Sequence, residues 1–438
     1  MKKFFLMGVA ALAFASCVSD KEITPLTQSE KYQEAFENLV GGKIAANVNW
    51  GFNNLQVAGF DADGNFTGMR GANPEGNLWA TYIEVPTALT EAQKAVVRDW
   101  FQTHPNYQGA TTVNWSEFFV EQVYKGGTNP TAECPEKYIA GNGGDVVGSQ
   151  HMDKLTVGFA NEHINNFNNG NNNDYDGFML MQNSTTNECF GYITSESSEQ
   201  KNDKYILVPG DIIAPSVAGM YFVGFDFEST GANPNQQVAA DGYYSDWIVR
   251  IVPGTYKNAQ RIMVEDLLAH NLDQIDLSDW DFNDAVFDVA FVKNQVAADN
   301  HANHLFGIIT LWAAGGTQAL TVAGKEVHEL FGQPVGTMIN TGNGVDGLAP
   351  VIFRVDLGQT DWDNNIYVTA DEIKVMVGST ELKAEEGKAP QKIAVPTTTK
   401  WMKERQIITK GYANFATYAT DGQPTNWYNT VADPSVLY

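Results

Sequence analysis

"SDWDFNDAVFDV" at residues 278–289 places five acidic or amide side chains around two aromatic residues and then continues into an apolar alternation. The alternation is typical of a β-strand, so the charge lies at the mouth of a strand. Two like charges this close repel by about 1 kcal/mol in water, and by more where water is excluded. The cluster therefore needs a cation, a hydrogen-bond network or open solvent. The five residues are Asp279, Asp281, Asn283, Asp284 and Asp288.

Short runs of β-branched and aromatic residues recur from about residue 150 onward, separated by Gly, Asn, Asp and Pro. This spacing predicts a mainly β protein, built from antiparallel β-sandwich or jelly-roll domains. The clearest runs are "YILV" (205–208), "YFVGFDF" (221–227), "DWIVRIV" (246–252), "VFDVAFV" (286–292), "LFGIITLW" (305–312), "VIFRVDL" (351–357) and "IKVMV" (373–377).

A few short helices are predicted in the N-terminal third. The first begins at Thr27 and stops at Gly41–Gly42, and the second begins at Thr90 and ends at His104–Pro105. In both, a Glu or Gln three residues after the Thr completes a capping box, and apolar residues follow at helical intervals. "NWSEFFVEQV" at 114–123 is interpreted as a third helix.

The first residues have the features of an export signal. Lys2 and Lys3 precede an apolar run at 4–14, and small residues lead to Cys17. This pattern predicts a signal peptide at residues 1–16 and resembles a bacterial lipobox, in which Cys17 is acylated. The alternative is an ordinary secretory signal with an incidental Cys. We expect export and lipid anchoring to the outer membrane. The acidic residues after Cys17 resemble the surface-export signal of bacterial lipoproteins, which implies display at the cell surface.

The mature chain is strongly acidic. Loss of Lys2 and Lys3 leaves 25 Lys and Arg against 52 Asp and Glu, a formal charge of −27. Such a charge disfavours nucleic acid and bare anionic lipid as partners, and it suits the capture of divalent cations. Cys134 and Cys189 form either one disulfide or two free thiols, and the sequence leaves both possibilities open.

The acidic stretch has the spacing of a calcium loop. Asp279, Asp281 and Asn283 occupy alternate positions, and calcium prefers six to eight hard oxygen ligands. The loop is not an EF-hand, because the sixth position lacks Gly and the twelfth lacks Glu. Strand alternation makes Asp288 a doubtful member. The predicted calcium ligands are Asp279, Asp281, Asn283 and Asp284, joined by Glu265 and Asp266 if their segment pairs beside the strand. The alternative is a metal-free Asx-turn cluster whose carboxylates accept backbone N–H bonds.

Other polar motifs favour ordinary loops. "FDADGNFTG" at 60–68 is interpreted as a hairpin and the Asn-rich stretch at 161–173 as a polar loop. His328–Glu329 lacks the second His of a zinc motif, and no Gly-x-Ser-x-Gly elbow occurs. A carboxylate pair for glycoside hydrolysis is defined by separation in space, so the sequence leaves that option open.

Segments across nearly the whole mature chain resemble a family of Bacteroidetes lipoproteins that carry an LruC-type C-terminal domain and have no assigned activity. The most specific are the Asp-x-Asp-Phe-Asn-Asp element and "AAGGTQALTVAGKEVHELFG" at 313–332. "WMKERQIITKGYANF" at 401–415 is a further matching segment. The resemblance implies a β-rich, surface-attached bacterial protein and supports treating residues 279–284 as one unit. It supplies no ligand. Leu267–Leu268 departs from the family pattern, in which a Gly often follows the two acids.

These observations predict four parts: the signal peptide at 1–16, a tether and N-terminal helix at 17–48, a β-rich domain with inserted helices at 49–255, and an LruC-type β-sandwich at 256–438. We favour a non-enzymatic, calcium-stabilised surface lipoprotein that acts as an adhesin or as a binding module for an unidentified glycan or protein. The alternatives are an extracellular hydrolase of polysaccharide or peptide and a structural subunit of a surface assembly.

Overall fold

The structure is a computed structural model, and its description covers the following residues: 26–58, 87–109, 111, 113, 115, 117–125, 138–141, 154–157, 177–182, 189–194, 202–226, 241–253, 256–273, 279–296, 302–361 and 366–438. The predicted signal peptide, Cys17, the 60–68 hairpin, Cys134 and the Asn-rich stretch lie outside these ranges.

Strands dominate the described chain. In chain order they are β1 (Asn54–Gln56), β2 (Glu117–Lys125), β3 (Tyr138–Gly141), β4 (Lys154–Val157), β5 (Gly177–Gln182), β6 (Cys189–Thr194), β7 (Asn202–Pro209), β8 (Tyr221–Asp226), β9 (Trp247–Pro253), β10 (Gln260–Val264), β11 (Ala285–Val296), β12 (Ala302–Ala313), β13 (Leu320–Val322), β14 (Lys325–Glu326), β15 (Val351–Gln359), β16 (Tyr367–Thr369), β17 (Val375–Val377), β18 (Thr380–Leu382) and β19 (Lys392–Pro396). The helices are α1 (Gln28–Val40), α2 (Glu91–Thr103), α3 (Val327–Leu330), α4 (Ile408–Gly411) and α5 (Phe415–Asp421).

The sheets are antiparallel, which confirms the predicted mainly β fold class. One sheet has the order β15-β12-β11-β10-β19, a second β14-β13-β17-β18, and a third, of eight strands, β3-β2-β9-β8-β7-β6-β5-β4. A two-stranded pair joins β1 to β16. No helix in the described ranges is both long and apolar enough to cross a membrane.

Two predicted helices are confirmed and the third is wrong. Capping boxes at Thr27 and Thr90 begin α1 and α2, and Gly41 ends α1 in the left-handed conformation with φ 77°. The stretch predicted as a helix at 114–123 instead contributes most of β2, which pairs with β3 and β9. Its consecutive aromatic and β-branched residues fit a pleated sheet, so the helical spacing of its apolar residues was coincidental.

The two sheets formed by residues 260–396 face each other as a sandwich. Alternate residues of β10 and β11, such as Ile262 and Phe287, share one core with Val322 of β13 and Val375 of β17. Burying such side chains stabilises the fold by about 1.5–3 kcal/mol each.

Helices cover the opposite face of the five-stranded sheet. Met263 and Val286 point into a second core, where they meet Phe36 of α1, Phe415 of α5 and Trp280. The segment 26–58 therefore packs on the sheets of residues 260–396, while α2 packs in a separate core with the eight-stranded sheet. The predicted domain boundaries at 48/49 and 255/256 stay a prediction.

Candidate metal centre

The acidic residues meet where β10 ends and β11 begins. These strands are antiparallel with Val264 opposite Ala285, so the residues after one strand lie beside the residues before the other. The backbone N–H of Asp266 donates to Asp284 Oδ2 at 2.6 Å, and that of Asp284 donates to the carbonyl of Val264 at 3.1 Å. Glu265 and Asp266 thus reach the loop as the pairing argument predicted.

The carboxylates form two groups of three. We call Glu265, Asp266 and Asp284 the inner triad, and Asp279, Asp281 and Glu404 the outer triad. In each triad, one oxygen per residue lies within 4.8 Å of an oxygen of the other two. The side chains are mostly withdrawn from solvent: Glu265 is 2% exposed, Asp266 3% and Asp281 4%.

Aromatic residues enclose the loop. Trp280 is 1% exposed, and its ring lies 4.9 Å from Tyr32 and 5.2 Å from Phe36, both on α1. Phe282 is fully buried and takes a left-handed backbone conformation with φ 54°. Such a conformation costs a bulky residue about 1–3 kcal/mol, so the surrounding packing must hold the loop in this shape.

Burial and mutual repulsion disfavour the charged forms of these acids. Burial, together with the neighbouring carboxylates, raises the pKa of Glu265, Asp281 and Asp284 well above the usual range. The pKa of Glu404 rises to about 7, first through burial and then through Asp279. A bound cation would reverse this penalty, because it favours the charged form of each ligand.

The backbone satisfies part of the cluster. Asp281 accepts from the backbone N–H of Asn283 at 3.2 Å and of Arg405 at 2.7 Å, and Glu265 accepts from that of Phe282 at 3.3 Å. The metal-free Asx-turn alternative therefore accounts for Asp281.

Two oxygens, one in the inner triad and one on Asn283, are not satisfied in this way. Asp266 Oδ2 and Asn283 Oδ1 are buried and have no hydrogen-bond partner among the described residues. The other oxygen of Asp266 accepts from His270 at 2.8 Å, and the amide nitrogen of Asn283 donates to the carbonyl of Met402 at 3.2 Å. A buried acceptor without a donor costs about 1–3 kcal/mol, and more when it is charged.

Two glycines allow the backbone to approach these oxygens. A Cβ at Gly315 would lie 2.1 Å from Asn283 Oδ1, and one at Gly316 would lie 3.2 Å from Asp266 Oδ2 and 3.4 Å from Asp284 Oδ1. The Ala-Gly-Gly-Thr segment was specific to the family resemblance but had no assigned role. The structure places it against the inner triad.

Asp288 does not join the cluster. Its carboxylate accepts two bonds from Arg261, at 2.8 and 3.0 Å, and a third from the indole of Trp312 at 2.7 Å. Its place on the helix-covered face, with Val286, follows the predicted strand alternation. Its role is to balance a buried guanidinium.

Glu404 is the acid that sequence reasoning missed. It lies in the segment 401–415, far along the chain, and Met402 and Arg405 of that segment bond to Asn283 and Asp281. Its only sequence signal was the resemblance of "WMKERQ", because no local spacing connects it to the loop.

Comparisons with known proteins leave the family open. No protein-family model matches the chain, and no curated protein matches it. A solved structure described as a candidate lipoprotein from Bacteroides ovatus is 11% identical, with a TM-score of 0.30, over 74% of this chain and 99% of that chain. The LruC-type resemblance and the lipid anchor at Cys17 accordingly stay predictions.

Proposed function

We propose that this chain is a non-catalytic, calcium-stabilised β-sandwich module. The proposal rests on two buried, unpartnered oxygens: Asp266 Oδ2, which belongs to the inner triad with Glu265 and Asp284, and Asn283 Oδ1, which lies against the adjacent Gly315. Three acids and an amide oxygen without a balancing cation would destabilise the fold, and a divalent ion supplies both the charge and the missing partner.

The donor chemistry favours calcium. Carboxylate and amide oxygens are hard ligands, and calcium accepts six to eight of them at about 2.3–2.6 Å in flexible geometry. Magnesium requires a stricter octahedron and releases its waters reluctantly. Sulfur and imidazole, which transition metals prefer, are absent from both described triads. His270 bonds to the inner triad through Asp266 Oδ1.

Burial argues against catalysis at this cluster. A hydrolytic carboxylate must reach the scissile bond, whereas Glu265, Asp266 and Asp281 are at most 4% exposed. An ion held there stabilises the loop and the packing of the segment 401–415 on it. We therefore assign the ion a structural role.

We further propose that the module is displayed on the cell surface through a lipid at Cys17 and binds a glycan or protein partner. The signal-like residues 1–16 and the acidic balance of the chain support this assignment. A glycan array probed with the mature chain, with and without calcium, tests it. Calcium-dependent capture of a defined glycan supports the binding role, and hydrolysis of the arrayed glycans would contradict the non-catalytic one.

Calcium is expected to raise the melting temperature of the mature chain. A free concentration of about 100 times the dissociation constant adds about 2.7 kcal/mol to the folded state. Differential scanning calorimetry in millimolar calcium and in excess EDTA measures the change, and isothermal titration gives the affinity. Asp266→Asn should remove most of the effect, whereas the exposed Asp273→Asn serves as a control and should retain it. Equal melting temperatures in calcium and EDTA would leave the proposal without its mechanism.

A further inference from the structure

One histidine lies directly behind the inner triad and is not itself a member. The turn Leu267–Ala269 follows Asp266 and brings His270 back toward it, so that Nε2 of the imidazole lies 2.8 Å from Asp266 Oδ1. The imidazole is mostly covered, with a side-chain exposure of 20%, and the Asp266 side chain is 5% exposed.

A second residue sets which nitrogen of this histidine carries the hydrogen. The side-chain amide nitrogen of Gln318 lies 2.9 Å from His270 Nδ1. An amide NH₂ group is a donor only, so Nδ1 accepts and the ring hydrogen is placed on Nε2. Nε2 then donates to Asp266 Oδ1.

The bond from His270 determines which oxygen of the Asp266 carboxylate is left without a partner. With Oδ1 engaged by His270, Oδ2 is the atom that remains buried and unpartnered beside Asp284 and Gly316. The hydrogen bond fixes the rotation of the carboxylate, and without it the group could turn either oxygen toward the triad or away from it. Partners of this kind are known to orient ligands in metal sites.

One chain segment contacts both the proposed ligand oxygens and the histidine behind them. Gly315 and Gly316 lie against the ligand oxygens, and Gln318 follows two residues later. The carbonyl of Gly316 is held in turn by Nε2 of His328 at 3.0 Å, and Nδ1 of that ring bonds to Glu326 at 2.6 Å. His328 thus holds the segment at Gly316, the glycine that lies against Asp266 Oδ2.

We infer that His270 and Gln318 are positioning residues for the cation: they hold Asp266 so that its Oδ2 faces the other two acids of the inner triad. The inference rests on the proposed function, because it assigns a role toward the ion proposed there. It predicts that their loss weakens the affinity for calcium more than it weakens the fold.

Calcium titration of four variants of the mature chain tests this role. His270→Ala removes the donor to Asp266, and we expect its affinity to fall by about 10–100-fold. His270→Gln keeps an N–H near the position of Nε2 and should recover most of the affinity. Gln318→Leu should weaken binding in the same direction but less. His104→Ala is the matched control, because His104 is exposed and stacks on Trp100 of α2.

Melting temperatures in EDTA separate positioning from general stability. A positioning role leaves the melting temperature in EDTA near that of the wild type and reduces the rise that calcium produces. If His270→Ala does not fold, the Gln318→Leu and His270→Gln titrations decide the question. Unchanged affinity in Gln318→Leu together with no recovery in His270→Gln would overturn the inference. A wild-type chain that binds no calcium would overturn the proposed function, and the inference with it.

Discussion

Replacing Arg261 with Met is expected to lower the free energy of unfolding by about 3–5 kcal/mol. Arg261 and Asp288 are each 6% exposed, and they meet in a two-bond pair on the helix-covered face of the five-stranded sheet. Burial raises the pKa of Asp288, and Arg261 opposes that rise. Without Arg261, the carboxylate would be buried with the indole N–H of Trp312 as its remaining side-chain donor.

The guanidinium also joins three other groups. Its third nitrogen donates to the carbonyl of Thr399 at 2.6 Å, and its central carbon lies 5.5 Å from the ring of Trp312 and 5.1 Å from that of Trp401. A cation held over two aromatic faces gains about 0.5–2 kcal/mol at each. Met can fill part of the volume but supplies neither charge nor donors, so the loss should fall at the upper end of the range.

Urea unfolding at constant calcium measures this loss and keeps the metal centre out of the comparison. The matched control is Arg98→Met, because Arg98 pairs with Asp99 at the surface, where such pairs contribute about 0–1 kcal/mol. The double variant Arg261→Met with Asp288→Leu should regain much of the stability, since it removes the unpaired charge. A single variant as stable as the control would mean that the pair has no structural role.

The sequence predicted the positions of the strands better than it predicted which strands pair with each other. Short apolar runs correspond to β7, β8, β9, β11, β12, β15 and β17, because alternation and turn residues are local signals. The pairing of β10 with β19 and of β1 with β16 joins segments far apart in the chain, and no local pattern encodes it. The stretch predicted as a helix at 114–123 lies mostly in β2, because pairing with β9 outweighs the helical spacing of its apolar residues.

The residues of the candidate site also divide into those that a local pattern predicts and those that only long-range packing brings together. The alternation of Asp279, Asp281 and Asn283 is a local pattern, and it predicted that their oxygens converge on one point. Asp279 and Asp281 share the outer triad, whereas the side-chain oxygen of Asn283 lies against Gly315. Glu265 and Asp266 required one further step, the antiparallel pairing of β10 with β11. Glu404 and His270 could not be predicted, because tertiary packing brings the first to the loop and the turn at Leu267–Ala269 orients the second.

In the absence of calcium, the melting temperature is expected to rise as the pH falls from 8 to about 5.5. The cause is the raised pKa of the acids in the cluster: Glu404 at about 7, and Glu265, Asp281 and Asp284 well above their usual range. Between the ordinary and the raised pKa, the folded chain binds more protons than the unfolded chain, so stability falls as the pH rises through that window.

The expected size follows from the number of protons taken up. One extra proton bound by the folded state contributes about 1.4 kcal/mol per pH unit, which is about 3–6 °C per pH unit for a domain of 150–250 residues. Calcium should abolish or invert this dependence, because the ion holds its ligands in the charged form and protons then compete with it. The two melting curves, in EDTA and in calcium, are therefore expected to converge toward pH 5.5 and to separate at pH 8.

Calorimetry across this pH range in EDTA and in calcium tests the prediction. Glu265→Gln removes one buried acid and should flatten the slope in EDTA, because a neutral amide takes up no proton. Glu386→Gln alters an exposed acid instead and should keep the wild-type slope. If the melting temperature in EDTA instead falls between pH 8 and pH 5.5, protein groups already neutralise the cluster. That result would contradict both the predicted pH dependence and the proposed cation.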